Sequence, residues 1–178
     1  MRRLTNEEIT KKRLTEAEAG ASEGRFPLIV ILENIRSLYN VGSMFRTSDA
    51  VRATALFTVG YTPHPPRIEI DKTALGATKT VPHRHFPTST EAIEAARELG
   101  FTVAALEITD RSRSVFDLEK SDFPLAIVLG GEVAGVSDEA LSLCDFSLEI
   151  PMIGAKHSLN VAVAYGIAAF EALRVKGI

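Results

Sequence analysis

The chain has 178 residues and a formal net charge of −3, with 46% apolar and 24% charged residues. One domain of this length can bury a core without disulfides or metals, and the composition excludes a largely disordered or membrane-embedded chain. A negative net charge does not by itself indicate nucleic-acid binding, for which a basic surface is typical. Because the segment 1–8 lacks the apolar stretch of a signal peptide, we expect a cytoplasmic protein. The lone Cys144 is interpreted as a small core residue rather than a catalytic thiol.

Two segments are locally basic despite the negative total. In each of them basic side chains outnumber acidic ones: Arg2, Arg3, Lys11, Lys12 and Arg13 in the first, and Arg67, Lys72, Lys79 and Arg84 in the second. Either segment fits a solvated surface, and either fits a phosphate-backbone partner. Both interpretations stay open at this stage.

Strands and helices are predicted to alternate along the chain. Residues 1–25 are polar and predict a charged helical arm on a flexible joint, followed by a domain over 26–178. Apolar, β-branched runs predict strands at 28–32, 55–59, 83–86, 101–106, 125–129 and 146–150. Helices are predicted at 41–51, from a cap at Ser89 or Thr90 to Gly100, at 137–143, and from Asn160 onward. The stretch 60–82, rich in Pro, Gly and Thr, predicts a functional loop.

This alternation predicts an α/β fold with a mostly parallel, Rossmann-like sheet covered by helices on both faces. Ligands of such sheets bind at the carboxyl ends of the strands. Three polar or glycine-rich segments follow predicted strands, at 34–46, 130–135 and 154–160. We therefore expect one composite site.

The first segment places Asn40 at a helix start and Arg46 nearly two turns further on. The planar guanidinium of Arg46 suits phosphate or carboxylate, although an ion pair with Asp49 is an alternative. In the second segment Glu132 lies in a glycine turn that lacks the G-x-G-x-x-G pattern, which argues against a nicotinamide enzyme. A tight turn with Ser137 capping the next helix explains this segment equally well.

The third segment carries Lys156, His157 and Ser158 before a helix that opens at Asn160. Ser158 and Asn160 fit capping residues as well as a binding site at the helix entrance. The helix is apolar all round, which predicts burial on every side, and it is too short to span a bilayer. His157 has no second ligand at metal-binding spacing.

Together the three segments resemble the motifs of the SpoU (TrmH-like) branch of the SPOUT RNA methyltransferases. The matching patterns are Asn-x-Gly-x-x-x-Arg-Thr from residue 40, Gly-x-Glu-x-x-Gly from 130, and Ile-Pro-Met-x-Gly-x-x-x-Ser-Leu-Asn-Val-x-Val-Ala from 150. The resemblance covers residue 26 to the end. It implies a deep C-terminal trefoil knot, an exception to the rule of unknotted chains. It also implies a homodimer, S-adenosylmethionine as methyl donor, and transfer to a ribose 2′-hydroxyl in tRNA or rRNA.

From the spacing around His157 and the length of the last helix we expect no metal and no membrane partner. The resemblance also implies roles for particular residues. Arg46 matches the catalytic arginine, accompanied by Asn40, Glu132, Ser158 and Asn160. The expected cofactor-binding positions are Leu106, Gly130, Gly131, Ile150, Met152, Ser158 and Leu159. The chain departs from the family at Ala162, where Ser is frequent. Two rival interpretations are a catalytically silent RNA-binding scaffold and a nucleotide-binding α/β enzyme of another kind.

Overall fold

The computed structural model describes residues 1–177, and within them seven strands form one sheet. The strands are β1 Phe26–Glu33, β2 Ala53–Val59, β3 His83–Phe86, β4 Thr102–Leu106, β5 Arg113–Ser114, β6 Leu125–Leu129 and β7 Phe146–Glu149. Their order across the sheet is β3-β2-β1-β6-β4-β7-β5, and each neighbouring pair is parallel. Parallel strands need crossover connections, which the helices provide.

Eight α-helices accompany the strands within residues 1–177. They are α1 Asn6–Thr10, α2 Glu16–Gly20, α3 Leu38–Ala50, α4 Ile68–Ala74, α5 Ala77–Thr80, α6 Ser89–Glu98, α7 Asp138–Leu143 and α8 Val161–Lys176. Alternate residues of β1 point to opposite faces of the sheet, so Leu28 and Val30 pack with α3, α4 and α8 while Ile29 and Ile31 pack with α6 and α7. The predicted parallel α/β sheet with both faces covered is confirmed, and the knot stays a prediction.

The predicted loop at 60–82 contains two helices, α4 and α5, so that prediction was wrong. Ile70, Ala74 and Ala77 are buried and pack in the same core as α3. Gly42 permits the close approach of α3 and α4, because a Cβ there would lie 1.9 Å from Thr73 Oγ1 and 2.5 Å from the Ile70 carbonyl oxygen. A Pro- and Gly-rich composition concealed these short helices.

The cap of α6 also differs from the prediction. Thr88, rather than Ser89 or Thr90, accepts the first-turn hydrogen bond, from the Glu91 backbone N–H at 3.3 Å. The Ser89 hydroxyl instead donates to the buried carboxylate of Glu33. The buried Glu33 carboxylate therefore takes the Ser89 hydroxyl as a hydrogen-bond donor, and Thr88 caps the helix.

Helix α8 is not buried on every side of this chain, contrary to the prediction. Val163 and Phe170 are 51% and 55% exposed. The opposite face is buried, and its Tyr165 hydroxyl shares a 2.8 Å hydrogen bond with the Ser48 hydroxyl of α3. This contact fixes α8 against α3 and leaves an apolar stripe uncovered.

The N-terminal 25 residues hold α1 and α2. The Arg52 guanidinium attaches the second of them to the sheet, donating to the carbonyl oxygens of Glu18, Glu23 and Gly24 at 3.0 Å each. The division into an arm and a domain at residue 25 stays a prediction. Of the helices between residues 1 and 177, none has the length and apolar character needed to cross a membrane.

Candidate active site

A cavity of about 640 Å³ lies at the carboxyl ends of β4, β6 and β7. Its walls come from the residues that follow these strands and from the segment leading into α8. Every position expected to bind cofactor lines it: Leu106, Gly130, Gly131, Ile150, Met152, Ser158 and Leu159. The topology therefore brings these positions to one place, and their role in binding stays a prediction.

The glycine turn after β6 folds tightly upon itself. The Gly135 backbone N–H donates to the Gly131 carbonyl at 2.9 Å. A Cβ on Gly130 would lie 1.9 Å from the carbonyl carbon of Gly135, so only glycine fits there. Ser137 caps α7, accepting from the Ala140 N–H at 3.2 Å. The tight-turn interpretation thus explains the glycines, and the turn also holds Glu132 at the cavity.

Three predicted site residues from three separate segments form one hydrogen-bonded chain at the cavity. The Asn160 side-chain amide donates to Asn40 Oδ1 at 3.2 Å, and Asn40 Nδ2 donates to Glu132 Oε1 at 2.9 Å. The Glu132 carboxylate also accepts from the backbone N–H groups of Arg36 at 3.1 Å and Ser37 at 3.3 Å. The predicted composite site is thus assembled for Asn40, Glu132 and Asn160.

These donors keep Glu132 ionised. Partial burial acts to raise the pKa of its carboxyl, but four donors together outweigh that effect and bring the pKa below its usual value: the backbone N–H groups of Arg36, of Glu132 itself and of Ser37, and the Asn40 amide. Hydrogen bonds to the charged form of a carboxylate have this result. The carboxylate is therefore available as a fixed acceptor at neutral pH.

Asn160 both caps α8 and joins the polar chain. Its Oδ1 accepts from the backbone N–H groups of Ala162 at 3.0 Å and Val163 at 3.4 Å, while its amide nitrogen is directed at Asn40. The two interpretations given for Asn160 therefore hold together. Ser158 is exposed and lines the cavity beside it.

Arg46 lies apart from this group within one chain. It lines a second depression, between α3 and α4, and is absent from the walls of the first cavity. The alternative ion pair with Asp49 is not formed between the described residues. Asp49 instead accepts a hydrogen bond from the Thr80 hydroxyl.

Two carboxylates that the sequence interpretation did not single out support the cavity. Glu33, only 3% exposed, accepts from the Ser137 N–H at 2.8 Å and the Ser137 hydroxyl at 2.6 Å. Glu107 accepts from the N–H groups of Ile108 and Val136, both at 3.0 Å. Both acids stand at the carboxyl end of an apolar strand, which is the signal that could have identified them.

Metals are commonly bound by His, Cys, Asp and Glu side chains, and thiol nucleophiles are cysteines. Among residues 1–177, no group of three or more His, Cys, Asp or Glu side chains is placed to hold a metal ion. Burial, and then the nearby Asp145 carboxylate, raise the pKa of the Cys144 thiol to about 12. The thiol therefore stays protonated at neutral pH, as expected of a packing residue.

The parallel sheet with a cavity at the carboxyl ends of its strands is typical of the α/β proteins that bind ligands at this edge. Residues 27–170 match the model of the SpoU rRNA Methylase family, and the chain belongs to that family. The predicted family is thereby confirmed, and the interpretation as a different nucleotide-binding α/β enzyme is excluded.

Particular relatives resemble the chain over most of its length. A tRNA (guanosine(18)-2′-O)-methyltransferase of Thermus thermophilus is 37% identical over 147 residues, covering 83% of this chain and 74% of the relative. A 23S rRNA (guanosine-2′-O-)-methyltransferase of a Burkholderia species is 32% identical, covering 94% of this chain and 66% of the relative. The SpoU methyltransferase AviRb from Streptomyces viridochromogenes, solved with AdoMet, superposes with a TM-score of 0.75 at 28% identity, covering 83% of this chain and 57% of that one.

Proposed function

We propose that this chain is an RNA methyltransferase that transfers a methyl group from S-adenosylmethionine to a ribose 2′-hydroxyl in tRNA or rRNA. The observation that carries the proposal is the hydrogen-bonded chain Asn160–Asn40–Glu132 at the cavity, because it joins all three family motifs. Relatives named as tRNA and 23S rRNA 2′-O-methyltransferases support the reaction. A cytoplasmic location belongs to the same proposal.

The cavity fits S-adenosylmethionine in size and chemistry. Its volume of about 640 Å³ is within the usual range for small-molecule sites, and an AdoMet-bound neighbour shares the fold. The apolar side chains of Leu106, Leu129 and Leu148 line the cavity and suit an adenine ring, and the glycine turn forms another part of its wall. When bound, the cofactor supplies an electrophilic methyl group on a sulfonium. Leu106, Gly130, Gly131, Ile150, Met152, Ser158 and Leu159 are the residues that we expect to hold it.

The residues around the cavity then have to position the ribose. Methyl transfer is an in-line displacement, so alignment of the attacking oxygen supplies much of the rate. Asn40 and Glu132 hold the start of α3 and the glycine turn in a fixed relation. We assign Asn40, Glu132, Ser158 and Asn160 to organising this geometry around the 2′-hydroxyl.

Arg46 is assigned to the ribose-phosphate. Its guanidinium is permanently charged and is therefore a poor general base. Stabilising the developing alkoxide, or binding the adjacent phosphate, is the role that its permanent charge favours.

A second copy of the chain completes the site in this proposal. Arg46 lies outside the cofactor cavity of its own chain, so an arginine that acts at the methyl group has to reach it from elsewhere. The stripe of α8 bearing Val163 and Phe170 is exposed, and Phe170 lines the same depression as Arg46. Burying this stripe in a homodimer would bring Arg46 of one protomer toward the cavity of its partner.

A tritiated methyl-transfer assay on total tRNA and on rRNA tests the reaction. We expect label in one of the two, and nuclease digestion should recover it in a 2′-O-methylated nucleoside. Calorimetry with S-adenosylmethionine should show binding without RNA. Cofactor binding with no transfer to either RNA would instead favour a catalytically silent scaffold, and absence of both would overturn the proposal.

A further inference from the structure

A second concave surface lies between α3 and α4. The depression has a volume of about 540 Å³ and is lined by Ser43, Arg46, Thr47, Ala50, Lys72, Thr73, Leu75 and Phe170. Two of these side chains are cationic, three carry hydroxyl groups, and none is a carboxylate. A concave surface of this composition favours an anion.

Two cationic side chains, Arg46 and Lys72, line this depression. Arg46 and Lys72 are both exposed, and neither takes part in an ion pair between the residues from 1 to 177. The nearest acids in sequence, Asp49 and Asp71, accept hydrogen bonds from the Thr80 and Thr78 hydroxyls and form no ion pair with either cation. The positive charge of the depression is therefore available to a ligand.

The packing of α3 on α4 fixes this arrangement. Gly42 approaches Thr73 so closely that a Cβ would lie 1.9 Å from the Thr73 hydroxyl oxygen. Arg46 follows Gly42 by one helical turn on the same face of α3, and Lys72 immediately precedes Thr73 in α4. The close contact thus places the arginine and the lysine on the walls of one depression.

We propose that Arg46 and Lys72 together bind a phosphate group of the RNA backbone, which makes Lys72 an RNA-binding residue. This inference rests on the proposed function, which already assigns Arg46 to the ribose-phosphate, and adds Lys72 as a second residue at that phosphate. Arginine offers a planar fork to phosphate oxygens, and lysine adds a point charge. A concave surface with two cations can enclose a single phosphate of a folded RNA. A flat membrane surface could not bring its lipid phosphates into such a depression as easily.

Salt dependence of RNA binding distinguishes a phosphate contact from other roles. The full chain and its Lys72→Ala and Lys72→Arg variants are titrated with an unmodified tRNA transcript across a range of KCl concentrations. Loss of one phosphate contact should reduce the slope of log affinity against log salt by about 0.7 to 0.9. That slope corresponds to about five- to eightfold weaker binding at 0.1 M salt, vanishing toward 1 M.

The controls separate this proposal from its rivals. Lys72→Arg should retain most of the slope, and Lys120→Ala, an exposed lysine of the short helical turn Lys120–Asp122, should retain all of it. The affinity for S-adenosylmethionine and the melting temperature should not change in Lys72→Ala. An unchanged slope would overturn the proposal, as would a shift in sedimentation toward a different oligomer, which would assign Lys72 to a subunit interface.

Failure of the proposed function gives a different pattern. If the slope depends on Lys72 but the chain methylates no RNA, the phosphate contact is supported and the proposed methyl transfer is overturned. If the chain methylates RNA but Lys72→Ala has the same salt slope as the wild type, the methyl transfer is supported and the phosphate contact of Lys72 is overturned.

Discussion

The side-chain amide of Asn160 donates a 3.2 Å hydrogen bond to the side-chain oxygen of Asn40, 120 residues earlier in the chain. Asn160 opens α8 and Asn40 lies in the first turn of α3, so the contact joins the starts of two helices. The other end of the Asn40 amide is directed at Glu132. A change in any one of the three residues is therefore expected to disturb the position of the other two.

Glu132→Gln is the first test of this coupling. A glutamine retains the size of the side chain but directs an NH₂ group toward a site where Asn40 and the N–H groups of Arg36 and Ser37 all donate. We expect methyl transfer to fall by about 10²-fold, the cost of a small misplacement of reacting groups.

The measurement is single-turnover methyl transfer, compared with calorimetric binding of S-adenosylmethionine. Cofactor affinity should change little, because the substitution is isosteric. Glu98→Gln, at an exposed carboxylate on the last residue of α6, is the matched control. Wild-type rates in Glu132→Gln would refute the positioning role.

Gly42→Ala tests the close contact between α3 and α4. The new Cβ would meet Thr73 Oγ1 at 1.9 Å and the Ile70 carbonyl oxygen at 2.5 Å, so one of the helices has to shift. Overpacking of this kind typically costs about 1 to 3 kcal/mol, which urea denaturation measures as a lower midpoint. In Gly20→Ala the Cβ meets nothing within 4 Å, and its stability should not fall.

The Ser48–Tyr165 pair tests how α8 is held on α3. The Tyr165 side chain is fully buried, and burial raises the pKa of its hydroxyl despite the opposing hydrogen bond with Ser48. Tyr165→Phe leaves the Ser48 hydroxyl buried without this partner, at an expected cost of about 1 to 3 kcal/mol in the free energy of unfolding. Because Ser48→Ala strands the tyrosine hydroxyl in the same way, the double variant should lose less stability than the sum of the two single variants. Strict additivity would show that the hydrogen bond contributes nothing.

Cys144 gives a pH-dependent test. Burial and Asp145 raise the pKa of this thiol to about 12, whereas an unfolded cysteine titrates near 8.5. At pH 8 the native thiolate fraction should be about 10³-fold smaller than in the unfolded chain, and iodoacetamide alkylation slower by a similar factor. Fast native alkylation at pH 8 would contradict the burial of this group.

The same shift has a defined sign for stability. The raised pKa of the native thiol contributes stability fully below about pH 8.5, and that contribution is lost as pH rises from there toward 12. Cys144→Ala removes the titrating group, so its unfolding free energy should decline less than that of the wild type above pH 8.5. A parallel decline in both chains would assign the pH dependence to other groups.

Much of the sheet and of the site was predictable from the sequence, for a physical reason. Strands buried on both faces need continuous apolar runs, so 28–32 and 125–129 identified β1 and β6 directly. The carboxyl ends of parallel strands share one edge of a sheet, so segments far apart in sequence could be assigned to one site. Asn40, Glu132 and Asn160 meet there as predicted.

The features that could not be predicted from the sequence depend on contacts between residues far apart in the chain. The helices α4 and α5 form in a Pro- and Gly-rich stretch because Ile70 and Ala77 find partners in the core beneath α3. Ser89 does not cap α6 because its hydroxyl donates to Glu33 instead. That contact joins residues far apart in sequence, so no local pattern could predict it. The exposed side of α8 has the same apolar composition as its buried side, so periodicity alone could not distinguish the two.

The separation of Arg46 from the cofactor cavity leads to a test of the arginine by itself. Arg46→Ala should abolish methyl transfer while leaving calorimetric binding of S-adenosylmethionine largely intact, because Arg46 does not line that cavity. An equal loss of both would count against the assigned role. This result alone does not tell whether the arginine acts on its own protomer or on its partner.

Mixed dimers of Arg46→Ala and Glu132→Gln distinguish the two arrangements. If Arg46 serves the cavity of the partner, a mixed dimer contains one site in which the cavity, its Glu132 and the incoming Arg46 are all intact. Random exchange of subunits at equal concentration makes half of the dimers mixed, so the mixture should regain about one quarter of the wild-type rate in a two-fold symmetric assembly. If Arg46 acts within its own chain, each site of a mixed dimer lacks one of the two residues, and mixing should restore nothing beyond the residual rates of the separate variants. Recovery would therefore support a subunit interface at the exposed stripe of α8, because Phe170 of that stripe lines the same depression as Arg46.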